Sequence, residues 1–243
     1  MADISLTISV VSHGQIELVN QLIADLATYC APRLTVILTH NVPEDAPDIP
    51  RNWHHKLEFV CNERPKGFGA NHNAAFRRCV TKLFCVVNPD IRLTSDPFPV
   101  LTAALDSASI AVVGPLVRGP KGDHEDSART FPTAASLLCK VAAAPSGPEY
   151  PVDGGAVKVD WVAGMFMAIR AEAFKSIGGF DERFFLYYED VDLCRRLSAA
   201  GFSIVYEPRA SIIHDARRAS RRNPRLMAIH AASALRYLLR RYD

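Results

Sequence analysis

The chain has 243 residues, 49% hydrophobic and 22% charged, which describes a globular protein near the upper size for one core and excludes a disordered or fibrous one. A formal net charge of +2 is too small to imply nucleic acid, and no stretch reaches the roughly 18 to 20 apolar residues of a membrane span. The first apolar run, Ile4 to Val11, has no basic leader, so a cytoplasmic protein without a signal peptide is expected.

Leu6 to Val11 is a short β-branched run that predicts a buried strand, followed by a helical pattern over Ile16 to Tyr29 with Leu18, Leu22, Ile23 and Leu26 on one face. A second strand is predicted over Leu34 to Leu38, and Pro43, Pro47 and Pro50 mark an extended loop. A third strand follows at Leu57 to Cys61, a helix at Ala70 to Val80, and a fourth strand at Leu83 to Val87 that ends at Asn88-Pro89-Asp90. A helix near Val100 to Ser107 and a strand at Ile110 to Val113 complete this regular part. From Gly114 to Asp160 the pattern weakens, with a polar loop over Gly119 to Arg129. Beyond it a strand is predicted at Val159 to Arg170, and short helices at Ala171 to Ile177 and Asp190 to Ala200, the second closed by Gly201. A last strand is predicted at Ser203 to Tyr206 and a basic helix from Pro224 to Tyr242.

Alternating strands and helices predict an α/β fold: a mostly parallel central sheet with helices on both faces. Without a repeat or a linker, residues 1–243 read as one domain. Residues 1–114 are expected to form a nucleotide-binding half, 115–216 an acceptor and catalytic half, and 217–243 a basic C-terminal helix. The six cysteines form no C-x-x-C pair and lie mostly in apolar runs, which predicts reduced, buried thiols.

In such sheets ligands gather at the carboxyl ends of strands. The residues there are Ser12 and His13, then Thr39, His40 and Asn41, then Asn62, then Asn88-Pro89-Asp90. A carboxylate beside a proline turn, as at Asp90, suits a hard divalent cation, although Asn-Pro-Asp is also ordinary turn composition. Glu189, Asp190 and Asp192 crowd three carboxylates into four residues at a helix start. Acids cap helices, but their mutual repulsion also raises a pKa in the way a general base requires. Gly67-Phe68-Gly69 follows the third strand and lacks the last glycine of a dinucleotide fingerprint, so its glycines are expected to let backbone approach a ligand. His214 alone carries little weight.

The order of these pieces resembles an inverting family 2 glycosyltransferase of the GT-A fold, most similar to its rhamnosyltransferase-like branch. The matching stretches are Thr7 to His13, Asn62 to Asn73, Val86 to Asp90, Trp161 to Gly164, Gly178 to Arg196 and His214. The resemblance implies Asp190 as catalytic base with Glu189 beside it, and a Mg²⁺ or Mn²⁺ ion on Asp90 and His214. It implies donor contacts from Ser12, His13, His40, Asn41, Asn62, Gly69, Asn73, Asn88 and Asp90. Trp161, Ala163, Gly164 and Asp192 would lie on the acceptor side. The implied partners are a nucleotide-diphosphate sugar donor, with a deoxyhexose such as rhamnose as the sugar, and a glycan or lipid-linked glycan acceptor. The chain departs from the pattern at Asn88, where the first acid of D-x-D is expected, at His40, where an acid usually reads the base, and at Ala75 in place of a glycine. Asn88 and His40 keep open a second reading, a non-catalytic nucleotide-sugar-binding protein. The C-terminal helix is likewise open to two readings. Its eight arginines between Arg217 and Arg241 suit peripheral contact with an anionic membrane, while its leucines suit packing on the domain or in a homodimer.

Overall fold

The computed structural model describes residues 6–30, 34–137, 148–215 and 223–242. Cys139 and Arg217, Arg218, Arg221 and Arg222 lie outside them.

The strands are β1 Leu6–Ser12, β2 Leu34–His40, β3 Lys56–Cys61, β4 Leu83–Val87, β5 Ile91–Arg92, β6 Ile110–Arg118, β7 His124–Glu125, β8 Ala128–Arg129, β9 Val157–Val159, β10 Trp161–Val162, β11 Phe166–Arg170 and β12 Ser203–His214. The helices are α1 Ile16–Tyr29, α2 Phe68–Phe76, α3 Phe98–Ala104, α4 Ala171–Ser176, α5 Glu189–Ala199 and α6 Pro224–Leu239.

The main sheet runs β3-β2-β1-β4-β11-β6-β12-β5, with β7 on β6 and β9 on β12, and a separate ribbon pairs β10 with β8. Strands β1 to β4 are mutually parallel, and β12 is parallel to β6. Strand β11 is inserted antiparallel between β4 and β6. Apart from this strand and the short edge pieces, the main sheet is parallel, the α/β arrangement expected.

Side chains alternate across the sheet, and each face has its own core. Cys85 and Val87 of β4 join Leu6, Ile8 and Val10 of β1 under α1 and α3. Phe84 and Val86 point the other way, against Ala75 of α2, Phe174 of α4 and Leu193 and Leu197 of α5. On α1 the buried stripe is Leu18, Val19, Leu22, Ile23 and Leu26. The same face carries buried Asp25, whose carboxylate takes Nε and Nη2 of Arg92 at 2.7 and 2.9 Å and the Leu93 amide at 2.9 Å. This pair fixes β5, and with it the chain just after Asp90, against α1.

Several predicted boundaries change. Helices α2 and α3 each begin two residues earlier than their apolar periodicity suggested. The predicted strand over Val159 to Arg170 is broken by a turn at Ala163-Gly164-Met165. The last strand does not stop at Tyr206 but continues to His214, because an irregularity between Glu207 and Ser211 lets β12 keep its pairing with β6 past Pro208. Among the described cysteines only Cys85 and Cys194 are buried, Cys30 and Cys79 are half-buried and Cys61 is exposed, so burial of most thiols does not hold.

Candidate active site

The turn between β10 and β11 is bonded in three directions. The Gly164 amide donates to Asp190 Oδ2 at 2.8 Å, Met165 O accepts from the Asn88 amide at 2.9 Å, and the Ala163 amide donates to Ser127 O at 2.8 Å. It therefore spaces the end of β4 from the start of α5. A Cβ on Gly164 would lie 3.3 Å from both Asp190 Cβ and Phe68 Cζ, so glycine is what lets backbone reach the carboxylate so closely.

Asp190 Oδ1 accepts from the Val191 amide at 2.8 Å, so both carboxylate oxygens are oriented, and the residue as a whole is half-buried. Burial raises its pKa, and the amides of Gly164 and Val191 and the charge of Arg129 draw it back. Glu189 is buried, and Oε2 has no hydrogen-bond partner. Burial, reinforced by the Asp190 charge, pushes its pKa well up. Both pKa values are raised, Glu189 the more strongly, since Asp190 alone has the amides of Gly164 and Val191 to offset burial.

The second group of acids is assembled by register. His214, at the end of β12, pairs with Ile91, and the Asp215 amide donates to Asp90 O at 2.9 Å. His214 Nε2 lies 3.3 Å from Asp90 Oδ2, and Nδ1 lies 2.6 Å from Glu125 Oε2. Burial alone would lower the imidazole pKa, but the two carboxylates outweigh it and raise it from 6.5 to about 9. Asp90 Oδ1 is buried and has no partner. An unpaired carboxylate oxygen beside an imidazole nitrogen fits one side of a divalent-cation site. Among the described residues no three His, Cys, Asp or Glu side chains are grouped to hold a metal ion, so a cation here would need further oxygens from a bound molecule. Glu125, in the predicted polar loop, was not expected at this centre; no local spacing marks it.

At the ends of β1 to β3 an amide network forms. Asn41 Oδ1 accepts from Asn62 Nδ2 at 2.9 Å and from the Lys66 amide at 2.8 Å, and Asn41 Nδ2 meets His13 Nδ1 at 3.2 Å. His40 is buried with Nε2 unpartnered. Ser12 donates to Glu44 Oε2 at 2.7 Å, and the same oxygen accepts from the Gln15 amide at 3.1 Å, an arrangement that starts α1.

Three expected site residues have other employment. At Gly69 a Cβ would meet Phe180 Cβ at 2.7 Å, and one on Gly67 would meet Phe185 O at 2.6 Å, so on the side-chain side of both glycines the protein itself fills the space. Asn73 gives its amide to Phe180 O at 2.9 Å and Glu182 Oε1 at 3.1 Å, and accepts from the Phe180 amide at 2.9 Å, tying α2 to the loop before α5. Asp192 is wholly buried, with Arg196 Nε at 2.7 Å on one oxygen and Arg240 Nη1 and Tyr242 Oη at 2.7 and 2.8 Å on the other. Neither oxygen is left for an acceptor. Trp161 is half-buried and donates its ring N–H to Thr130 O at 2.9 Å, with Arg129 over its face.

This sheet order, with carboxylates at the strand ends and at the start of α5, is the GT-A type of α/β fold. The chain belongs to the glycosyltransferase-like family 2, whose sequence profile matches residues 17–231. It is 33% identical over 172 residues to the N-acetylglucosaminyl-diphospho-decaprenol L-rhamnosyltransferase of Mycobacterium tuberculosis, a match covering 65% of this chain and 55% of the relative. This chain thus spans about half the length of that relative. It is 32% identical over 187 residues to the rhamnosyltransferase WbbL of Escherichia coli K12, covering 72% of this chain and 71% of the relative. Among solved structures, the mannosyltransferase PcManGT of Pyrobaculum calidifontis, in complex with GDP-Man and Mn²⁺, superposes with a TM-score of 0.65 at 16% identity over 95% of this chain and 64% of that one.

The His214 centre has a measurable consequence in metal-free protein. Its folded pKa is raised, so the stability it contributes is complete below about pH 6.5 and is lost as pH rises through about 9. Urea unfolding between about pH 6 and 10 should show a falling free energy across that window. His214→Gln should flatten the fall; an unchanged slope in that variant would remove the assignment.

Proposed function

We propose that this chain transfers a sugar from a nucleotide-diphosphate donor to an acceptor hydroxyl in one displacement that inverts the anomeric carbon. The observation that supports this most is Asp190: a carboxylate with both oxygens oriented by backbone amides, beside a buried acid whose pKa is pushed further up. Such a group can take the acceptor's proton as its oxygen attacks, an effect typically worth about 10²–10⁴-fold. The Asn41, Asn62 and His13 network and His40 line the strand ends where a nucleotide base and ribose would sit. Asp90 and His214 would hold Mg²⁺ or Mn²⁺, which supplies positive charge to a departing diphosphate.

The names of the two rhamnosyltransferase relatives support a deoxyhexose such as rhamnose as the sugar. The mycobacterial name, describing a lipid-diphosphate-linked acceptor, supports a lipid-linked glycan and a place in bacterial surface polysaccharide synthesis. The Mn²⁺ and GDP-Man of PcManGT support a divalent ion bound with a donor. A non-catalytic nucleotide-sugar-binding protein remains the second reading, favoured by Asn88 and His40.

Purified protein incubated with dTDP-rhamnose, a panel of other nucleotide sugars, Mn²⁺ and a diphospholipid-linked N-acetylglucosamine should release the nucleoside diphosphate. It should also yield a glycoside of configuration opposite to the donor's, and chelator should suppress the reaction. Donor binding without any transfer would favour the second reading.

Among the described residues no helix is long and apolar enough to cross a membrane. The outer side of α6 nevertheless exposes Met227, Leu235 and Leu239, at 58%, 58% and 74%, beside Arg225 and Arg241. We infer peripheral attachment to the cytoplasmic face of an anionic membrane, each basic residue near the headgroups adding about 1 kcal/mol. Flotation with phosphatidylglycerol vesicles should capture the protein at low salt and release it at high salt. Failure at low salt, with a dimer in solution, would assign that apolar side to a subunit interface.

A further inference from the structure

Tyr187 and Tyr188 have φ of 68° and 67°, and among the described residues they are the only non-glycine positions with positive φ. Side chains with a Cβ pay for that conformation, and it persists only where surrounding structure imposes it. The two tyrosines immediately precede Glu189 and Asp190, and Tyr188 is the N-cap of α5. The direction in which the Asp190 carboxylate leaves the helix is therefore set by a backbone turn that would relax if released.

Helix α6 packs against this turn. Ser233, almost fully buried, donates its hydroxyl to Leu186 O at 2.9 Å, on the residue just before the tyrosines. The His230 ring lies 5.1 Å from Tyr187 and 5.3 Å from Tyr188, and the buried Tyr237 ring lies 5.6 Å from Tyr188. Arg236 donates to Arg183 O upstream. Downstream, Arg240 and Tyr242 hold Asp192, whose own amide closes the first turn of α5 on Tyr188 O at 2.9 Å. Phe184, Tyr188, Val191 and Tyr237 form a small core of their own, separate from the two main ones. Contacts from α6 and the three residues that follow it thus fall before, on and after the strained pair.

We propose that His230 and Ser233 are positioning residues: α6 clamps the left-handed Tyr187-Tyr188 turn and so sets the orientation of Asp190 for proton abstraction. The proposal rests on Asp190 being the base, and it extends to a segment that touches neither donor nor acceptor. The C-terminal helix then serves the chemistry through its inner face, whatever covers its outer one.

The test uses the full-length chain with His230→Ala, Ser233→Ala and the pair together. Melting curves and near-UV circular dichroism restrict comparison to folded protein. Amide hydrogen exchange over residues 187–191 should accelerate at least about tenfold in the pair, while exchange in β1 and β4 stays as in wild type. With dTDP-rhamnose as donor, kcat should fall about tenfold or more and donor KM should stay within about twofold. Unchanged exchange at 187–191 would overturn the clamp, independently of whether Asp190 is the base. Faster exchange with full kcat would overturn the positioning role and leave α6 as packing alone. A loss of activity through KM alone would likewise contradict it.

Discussion

One three-residue turn sets the geometry of the candidate site. Through Gly164 it donates to the Asp190 carboxylate, and through Met165 it receives the Asn88 amide, so the same peptide segment is bonded to the acid at the start of α5 and to the strand end that carries Asp90. The antiparallel insertion of β11 makes this possible. Its first residue, Phe166, pairs with Val87, the last residue of β4, which brings the turn to the carboxyl ends of the parallel strands. A side chain at position 164 would push against Asp190 and Phe68 together, so the spacing depends on glycine there.

Around that turn the fold arranges two acid clusters with opposite electrostatics. At Glu189 and Asp190 burial favours protons, reinforced at Glu189 by the Asp190 charge, and only Asp190 has amide donors from two directions to offset it. At Asp90 and Glu125 the charge is shared with an imidazole, whose pKa is raised in consequence. The first arrangement suits a group that must accept a proton, and the second suits a place where positive charge, from a proton or a cation, is wanted. Separating the two roles onto different elements lets each be tuned by its own neighbours.

Much of this was legible from the chain. The β-branched runs gave β1, β2 and β4 because those strands are covered on both faces and read as continuous apolar stretches. The approach of Asp90 and His214, far apart in sequence, was carried by motif resemblance, and the pairing of β5 with β12 supplies its physical cause. What could not be read depended on partners distant in sequence. Nothing near Gly69 or Asn73 announces that Phe180 occupies the space of one and the amide of the other. Asp192 belongs to the same acidic run as Asp190, but one faces Gly164 and the other Arg240, a difference decided by the helical rotation between them. On α6 the leucines drew attention as the apolar face, whereas Ser233 and Tyr237 are the residues buried. The Glu207 to Ser211 irregularity hid the length of β12, since proline and charge there mimic a loop.

The proposed proton acceptor, Asp190, is held in place by backbone amides rather than by a side-chain hydrogen bond. Turnover and donor affinity of Asp190→Asn, compared with wild type in the same metal and donor, test this most directly. The account predicts donor binding within a few-fold of wild type, by calorimetry with dTDP-rhamnose, and a transfer rate lower by at least about 10²-fold. More than about a tenth of the wild-type rate in the folded variant would contradict it and place the base elsewhere.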